Sequence, residues 1–192
     1  VNIPDNVETI ENNAFGRVKR LQEVHLPDNL TALGGSAFEY CRNLRAVKIP
    51  SKIKVITWYA FRYCSSLQSV ELHDSITGFG NESFAGCDLR EITLPKSTTA
   101  VGNHAFEGNA NLSKVTFNEG LIYIGESAFQ NTAIDTLNCP STLRNIYNSA
   151  FAGCRNLRQI NLNEGLTRIE TYALANNKAT EIVLPSSLEY CA

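Results

Sequence analysis

Large apolar residues return along the chain at a nearly constant interval, each time in the same arrangement with polar residues. One Phe position, occupied by Leu in the eighth copy, recurs every 22 or 23 residues. In most copies aliphatic or other large apolar residues follow this position after six, nine and eleven residues, and a second aliphatic pair comes later. A fixed period of this length is typical of stacked-repeat proteins. The positions are Phe15, Phe38, Phe61, Phe84, Phe106, Phe129, Phe151 and Leu174.

Each copy predicts one short strand and one short helical turn. Around residues 67–72, apolar and polar residues alternate with a period of two, which indicates a half-buried strand. A Pro follows in several copies and ends the strand because it has no N–H. The Ala-Phe pair lies on a helical turn that is too short to be stable alone, so its Phe must pack on those above and below. We therefore expect coils stacked in one dimension, with one parallel strand in each.

The consensus unit reads Ala-Phe-x-x-Cys-x-x-Leu-x-x-Val-x-Leu-Pro-x-x-Leu-x-x-Ile-Gly. In this form it resembles the leucine-rich repeats of the BspA-like class, also called the Treponema pallidum type. The resemblance covers essentially all of residues 1–192 and implies one domain of about eight repeats. The implied fold is an α/β solenoid, a right-handed superhelix with a parallel sheet on its concave face and short helical turns on its convex side. Right-handed crossovers between parallel strands are the general rule.

The class also implies a setting and a type of function. Its members are surface-exposed proteins of bacteria and some protists, and several are adhesins for host or matrix proteins. The resemblance therefore favours a cell-surface or secreted protein. The leading hypothesis is a non-catalytic module that binds another protein or glycoprotein, and the alternative is a structural spacer or assembly subunit.

The two ends and the overall charge set further expectations. The chain contains no Met and starts and stops inside a repeat, so we expect a fragment without caps, whose termini could make end-to-end contacts. No apolar run approaches the roughly 18 residues of a membrane span, so this segment is not expected to insert into a membrane. The net charge of −2 gives no reason to expect nucleic acid as a partner.

The Cys and His residues do not form a recognisable reactive motif. Four of the six Cys residues follow the repeated Phe by three positions, and we expect all six to be small buried core residues. The chain has no Cys-x-x-Cys, and its three His residues belong to different zones of the coil. We therefore expect no metal, no cofactor and no catalytic site. Whether neighbouring Cys residues pair stays open. The Cys residues are Cys41, Cys64, Cys87, Cys139, Cys154 and Cys191.

The first candidate binding surface is the outward side of the predicted strands, where two residues per copy have no packing role. Repeat proteins commonly bind macromolecules on such an extended surface, although a merely solvated sheet face would look the same. Aromatic residues, which favour binding, are missing from it. The candidate residues are Glu23, His25, Lys48, Ser69, Glu71, Glu91, Thr93 and Lys114.

The second candidate surface is a group of four aromatic residues near the Ala-Phe turns of the second and third repeats: Tyr40, Trp58, Tyr59 and Tyr63. Arginines lie nearby in sequence, and aromatic residues with Arg are typical of the centre of an interface. The alternative is that these residues cover the convex edge of the core. Residues 1–63 contain nine Lys or Arg and six Asp or Glu, a net +3 that could orient an acidic partner or a polyanionic glycan.

Overall fold

The repeated Phe side chains lie one above the next along the length of the molecule. In the computed structural model, which describes residues 1–192, successive rings from Phe15 to Phe151 have centroids 5.2–5.6 Å apart and planes within 8° of parallel. The rings from Phe38 to Phe151 are fully buried. Each coil therefore contributes one ring to a continuous stack, which confirms the predicted solenoid of about eight coils.

The alternating segments form three-residue parallel strands, as the sequence predicts. The middle residue of each strand points into the core, and the flanking residues point outward. The strands are Ala46–Lys48 (β3), Ser69–Glu71 (β5), Glu91–Thr93 (β7), Lys114–Thr116 (β9), Thr136–Asn138 (β11) and Gln159–Asn161 (β13). They pair in register as β3–β5, β7–β9 and β11–β13.

Regular pairing of these strands stops at the two copies that are one residue short. The Phe-to-Phe step is 22 residues after Phe84 and after Phe129, and the missing residue lies between the Phe and the next strand. These positions coincide with the gaps between β5 and β7 and between β9 and β11. The local contacts change there as well, since Asn109 Oδ1 accepts a hydrogen bond from the Leu89 amide at 3.1 Å.

A second set of strands, each two residues long, forms on another side of every coil from the second aliphatic pair. The sequence did not predict these strands. They are Thr9–Ile10 (β1), Ala32–Leu33 (β2), Val55–Ile56 (β4), Gly78–Phe79 (β6), Ala100–Val101 (β8), Tyr123–Ile124 (β10), Asn145–Ile146 (β12), Arg168–Ile169 (β14) and Tyr190–Cys191 (β15). Seven of them build the longest continuous ladder in the molecule, in the order β15-β14-β12-β10-β8-β6-β4, and β1 pairs with β2.

The predicted helical turns around Ala-Phe are wrong: the structure has tight turns there and no helix. In every coil, the residues two positions before and two positions after the repeated Phe or Leu have positive φ, as at Tyr59 (58°) and Tyr63 (55°) around Phe61. A right-handed helix needs consecutive residues at φ near −60°, so a left-handed residue on each side prevents it. The amides of Arg62 and Cys64 instead donate to carbonyls three residues earlier.

The turns are joined into a third ladder by their backbones. The amide of each repeated Phe donates to the carbonyl of the residue before the next Phe or Leu, at 2.8–2.9 Å, as from Phe38 to Ala60. In five coils, the side chain three positions after Phe donates a hydrogen bond to the carbonyl of the preceding Phe. The Cys64 thiol donates to the Phe38 carbonyl at 3.1 Å, and Asn109 donates to the Phe84 carbonyl at 2.8 Å.

The cysteines mostly lie where the sequence predicts, and all six are free thiols. Cys41, Cys64, Cys87 and Cys154 are buried, and Cys139 is partly buried. The expectation is wrong for Cys191, which is exposed because no coil packs over the last strand.

The structure contains no helix of the length and hydropathy needed to cross a membrane.

Candidate interaction surfaces

The outward side of the three-residue strands, with the equivalent residues Glu23 and His25 of the first full coil, is called the long-strand face. Pairing in register places the outward residues of neighbouring coils directly beside each other. Lys48 Nζ lies 3.1 Å from Glu71 Oε1, and both side chains are exposed. An exposed pair of this kind contributes only about 0–1 kcal/mol to stability, so both groups can be recruited by a partner at little cost.

Three depressions lie along the long-strand face. A depression of about 1050 Å³ lies over β5, β7 and β9, and one of about 740 Å³ adjoins it towards the N-terminus. A third, of about 650 Å³, continues over β9 and β11. The first two depressions are lined by all eight residues that the sequence selected: Glu23, His25, Lys48, Ser69, Glu71, Glu91, Thr93 and Lys114.

The chemical character of this face changes along the stack. Its first part carries charges of both signs, while β11 and β13 present only hydroxyl and amide groups. At that end Asn161 Nδ2 donates to Asn138 Oδ1 across neighbouring coils at 2.6 Å. A ligand lying along the whole face would meet an ionic segment first and a neutral polar segment second.

One edge of the largest depression carries a second ion pair. Lys96 Nζ lies 2.9 Å from Asp74 Oδ2, and both groups are exposed. The hydrogen bond from Lys96 lowers the pKa of Asp74, and the same bond raises the pKa of Lys96. Nearby, His73 Nε2 lies 3.0 Å from the Pro50 carbonyl, which requires a proton on that nitrogen for a hydrogen bond.

The four aromatic residues of the second candidate surface do come together, and we call them the aromatic edge: Tyr40, Trp58, Tyr59 and Tyr63. The Tyr40 and Tyr63 rings stack with centroids 5.0 Å apart. Trp58 and Tyr59 meet edge to face at 5.4 Å. Arg62 joins the two pairs, because its Cζ lies 4.8 Å from the centroids of both Tyr59 and Tyr63. The sequence could name the four residues but not this contact.

Two glycines provide the space that these rings occupy. A Cβ on Gly35 would fall 2.3–2.6 Å from three atoms of the Trp58 indole, so the ring rests directly on the backbone of the preceding coil. A Cβ on Gly86 would fall 2.4 Å from Cδ1 of Tyr63. Gly86 also has a φ of +66°, a conformation that favours glycine. The rings are therefore seated on the solenoid rather than attached loosely to it.

Arg62 is also held by carboxylates of both neighbouring coils. Its Nε lies 2.8 Å from Glu82 Oε2, in a charge pair whose N–H is poorly aligned for a hydrogen bond. Its Nη1 lies 3.5 Å from Glu39 Oε1. Partial burial would lower the pKa of Arg62, but the contacts with Tyr63, Glu82 and Glu39 outweigh burial and raise it. This guanidinium therefore fixes the aromatic edge and has little capacity left for a ligand.

A third group of exposed apolar residues lies on the outer side of the two-residue ladder, and sequence reasoning missed it. Ile122 and Tyr123 are exposed, and the Tyr123 ring meets Tyr147 at 6.0 Å. Further along the ladder, the Cζ atom of Arg168 lies 4.3 Å from the centroid of the Tyr190 ring. The available signal was that Ile122 lies between the aliphatic residues Leu121 and Ile124, at a place where the other copies have polar residues such as Lys54 and Arg144.

No cluster of three or more His, Cys, Asp or Glu side chains is arranged to hold a metal ion. His25, His73 and His104 lie on separate parts of the coil, as the sequence indicated.

Among solved structures, a leucine-rich repeat protein from Bacteroides ovatus is 28% identical to this chain, with a TM-score of 0.93. The match covers 98% of this chain and 52% of that protein, so the chain spans about half of its length. The Treponema pallidum leucine-rich repeat protein has the same kind of fold, at 24% identity and a TM-score of 0.66 over 88% of this chain and 72% of that one.

A leucine-rich cell surface protein from Faecalibacterium prausnitzii is also similar in fold. It is 24% identical with a TM-score of 0.51, over 97% of this chain and 73% of that protein. No curated protein was found that is similar to this chain.

The family model described as "BspA type Leucine rich repeat region (6 copies)" matches residues 1–110 and 79–192. These two matches overlap and together extend over the whole stack of coils described above. The chain therefore belongs to the family of BspA-type leucine-rich repeat proteins.

Proposed function

We propose that this chain is a non-catalytic interaction module that binds another protein or glycoprotein along its long-strand face. The observation that supports this most is the row of depressions over β3 to β11, lined by outward side chains that the core does not need. A surface with depressions over several coils offers area to a macromolecule, which is how repeat proteins commonly bind.

We also propose that the long-strand face is the concave side of the solenoid and that the protein is exposed at the cell surface or secreted. The resemblance to BspA-like proteins supports both, and a fold neighbour from Faecalibacterium prausnitzii is named as a cell surface protein. On this view the protein is adhesin-like, and its partners are extracellular proteins or glycoproteins.

The test is binding to immobilised matrix glycoproteins, such as collagens and laminins, measured by surface plasmon resonance. Replacing Lys48, Glu71 and Glu91 together by Ala should weaken binding at least tenfold, because it removes the charges at the centre of the two largest depressions. The matched control replaces Glu11, Lys54 and Glu126 by Ala, because these exposed residues lie outside the depressions over this face and their loss changes the net charge by the same amount.

Unchanged binding by the triple variant, with loss of binding when Trp58 and Tyr63 are replaced, would move the function to the aromatic edge. If neither set of substitutions changes binding, the alternative of a structural spacer or assembly subunit is favoured.

A further inference from the structure

We infer that the aromatic edge is a second, separate binding site, and that it takes an acidic segment of a partner protein containing large apolar side chains. The inference does not depend on the long-strand face, because the aromatic edge lies on the turns that carry the Phe stack. It rests on two free cations, an exposed aromatic platform and the charge of the surrounding coils.

Arg17 and Arg42 are the free cations. The Cζ atom of each lies 5.6 Å from the centroid of the Tyr40 ring. Both side chains belong to exposed residues, and neither forms an ion pair with a carboxylate of the chain. Arg62, in contrast, is paired with two carboxylates. The structure thus holds two guanidinium groups beside one ring without neutralising them, and guanidinium groups bind carboxylates in two-pronged hydrogen bonds.

The aromatic platform adjoins these cations. Trp58 is 46% exposed and Tyr63 is 38% exposed, although both rings are seated on glycines. The Tyr40 ring, on which the arginines lie, stacks on Tyr63. Rigid, partly exposed Trp and Tyr rings with Arg have the composition of binding hot spots. Because they are already ordered, a ligand that docks here loses little further side-chain entropy to the protein.

The two free arginines and the exposed aromatic rings together indicate the chemistry of the partner. A carboxylate-rich segment satisfies Arg17 and Arg42, and a Leu or similar side chain covers the exposed indole of Trp58. A sulfated polyanion would satisfy the arginines but would bury no apolar side chain on the indole. The net +3 of residues 1–63 also attracts an acidic segment to this end of the solenoid.

Trp58 is the only Trp of the chain, so its fluorescence reports directly on this site. The probe is a synthetic peptide of alternating Glu and Leu, which has no fluorescence of its own, compared with a peptide in which Gln replaces Glu. We expect a saturable change of Trp58 emission with the Glu peptide, weakened by salt, and at least tenfold weaker binding of the Gln peptide.

The decisive variant carries Arg17→Gln and Arg42→Gln, and we expect it to bind the Glu peptide at least tenfold more weakly. The matched control is Arg155→Gln, because Arg155 follows Phe151 by four positions as Arg42 follows Phe38, but has no aromatic partner. Circular dichroism before the titration checks that each variant is folded.

The inference is overturned by equal binding of the two peptides, by absence of binding, or by loss of binding in Arg155→Gln as large as in the double variant. It is also overturned if heparin oligosaccharides bind through Arg17 and Arg42 more tightly than the Glu peptide does. None of these outcomes affects the long-strand face, which is tested separately with matrix glycoproteins.

Discussion

At the scale of single residues, the structure has one buried hydroxyl without a partner. Ser83 occupies the position before the repeated Phe, where the other seven copies have Ala, and its Oγ is buried and forms no hydrogen bond. An unsatisfied buried polar group costs about 1–3 kcal/mol. Ser83→Ala should therefore raise the free energy of unfolding by roughly 1 kcal/mol, measured by chemical denaturation.

The reverse substitution provides the control. Ala60→Ser places the same hydroxyl at the equivalent buried position of the preceding coil, and it should lower the stability. Destabilisation by Ser83→Ala as well would show that the Ser83 hydroxyl is hydrogen-bonded in the folded protein.

Thiol reactivity separates buried from exposed cysteines. Burial raises the pKa of Cys41 to about 11 and that of Cys139 to about 12, so few thiolates form at these sites at pH 8. Cys191 is the only exposed thiol. With Ellman's reagent, one thiol per folded chain should react quickly and all six should react after denaturation. Fast reaction of any thiol in Cys191→Ser would contradict the burial of the other five.

The same burial predicts how stability depends on pH. Burial also raises the pKa of Cys64 and Cys87 above the ordinary value of 9.0, so the folded state keeps protons that the unfolded state loses. Their contribution is fully present below pH 9 and declines as the pH rises above 9. The denaturation midpoint should therefore fall between pH 8 and pH 10.5, and the fall should be smaller in Cys64→Ala. An equal fall in this variant would assign the effect to other groups.

At the scale of the elements, the sequence predicted the three-residue strands but not the turns or the second ladder. Apolar and polar residues alternate over residues 67–72, which is long enough to indicate a strand. A two-residue strand such as β4 is too short to show any alternation. The sequence did not reveal the positions with positive φ, because non-glycine residues such as Tyr63 and Asn131 occupy them in some coils and glycine occupies them in others. The presence of Gly86, Gly108 and Gly153 in the same place was the signal that the turn is not helical.

For the same reason, the sequence predicted the residues of the two candidate surfaces better than it predicted their shape and contacts. Period-two alternation determines which residues point outward, so the eight residues that the sequence selected all lie on the long-strand face. The depth of that face depends on how the coils stack, which no single repeat encodes. The aromatic edge needed Arg62 to connect Tyr59 with Tyr63, and that contact depends on carboxylates of two other coils.

The seating of Trp58 on Gly35 gives a test of the aromatic edge as an element. Gly35→Ala should displace the indole, because the new Cβ would lie 2.3 Å from Cε2 of Trp58. We expect a shift of Trp58 emission and weaker binding of the Glu peptide. Gly78→Ala is the control, since its Cβ would meet only the Ala100 carbonyl at an ordinary 3.5 Å. Equal emission spectra for the two variants would contradict the described position of the ring.

At the scale of the whole molecule, each coil is stable because its neighbours cover it. Removing a ring from the middle of the stack leaves a cavity between two coils, and Phe→Ala substitutions in cores cost about 3–5 kcal/mol. Phe84→Ala should therefore destabilise the chain by an amount in this range. Phe15→Ala should cost less, because Phe15 is only partly buried and has a ring on one side. Equal losses in chemical denaturation would contradict the stack as the source of stability.

The coils support the outward positions of several strands at once, and we propose that a partner lies along the long-strand face that these positions form. Hydrogen–deuterium exchange of the chain, alone and bound to a matrix glycoprotein that it captures, tests this directly. A partner bound along this face should slow exchange in peptides that contain β5, β7 and β9, with little change in the two-residue ladder. Protection confined to the two-residue ladder, or absent from β5, β7 and β9, would contradict it.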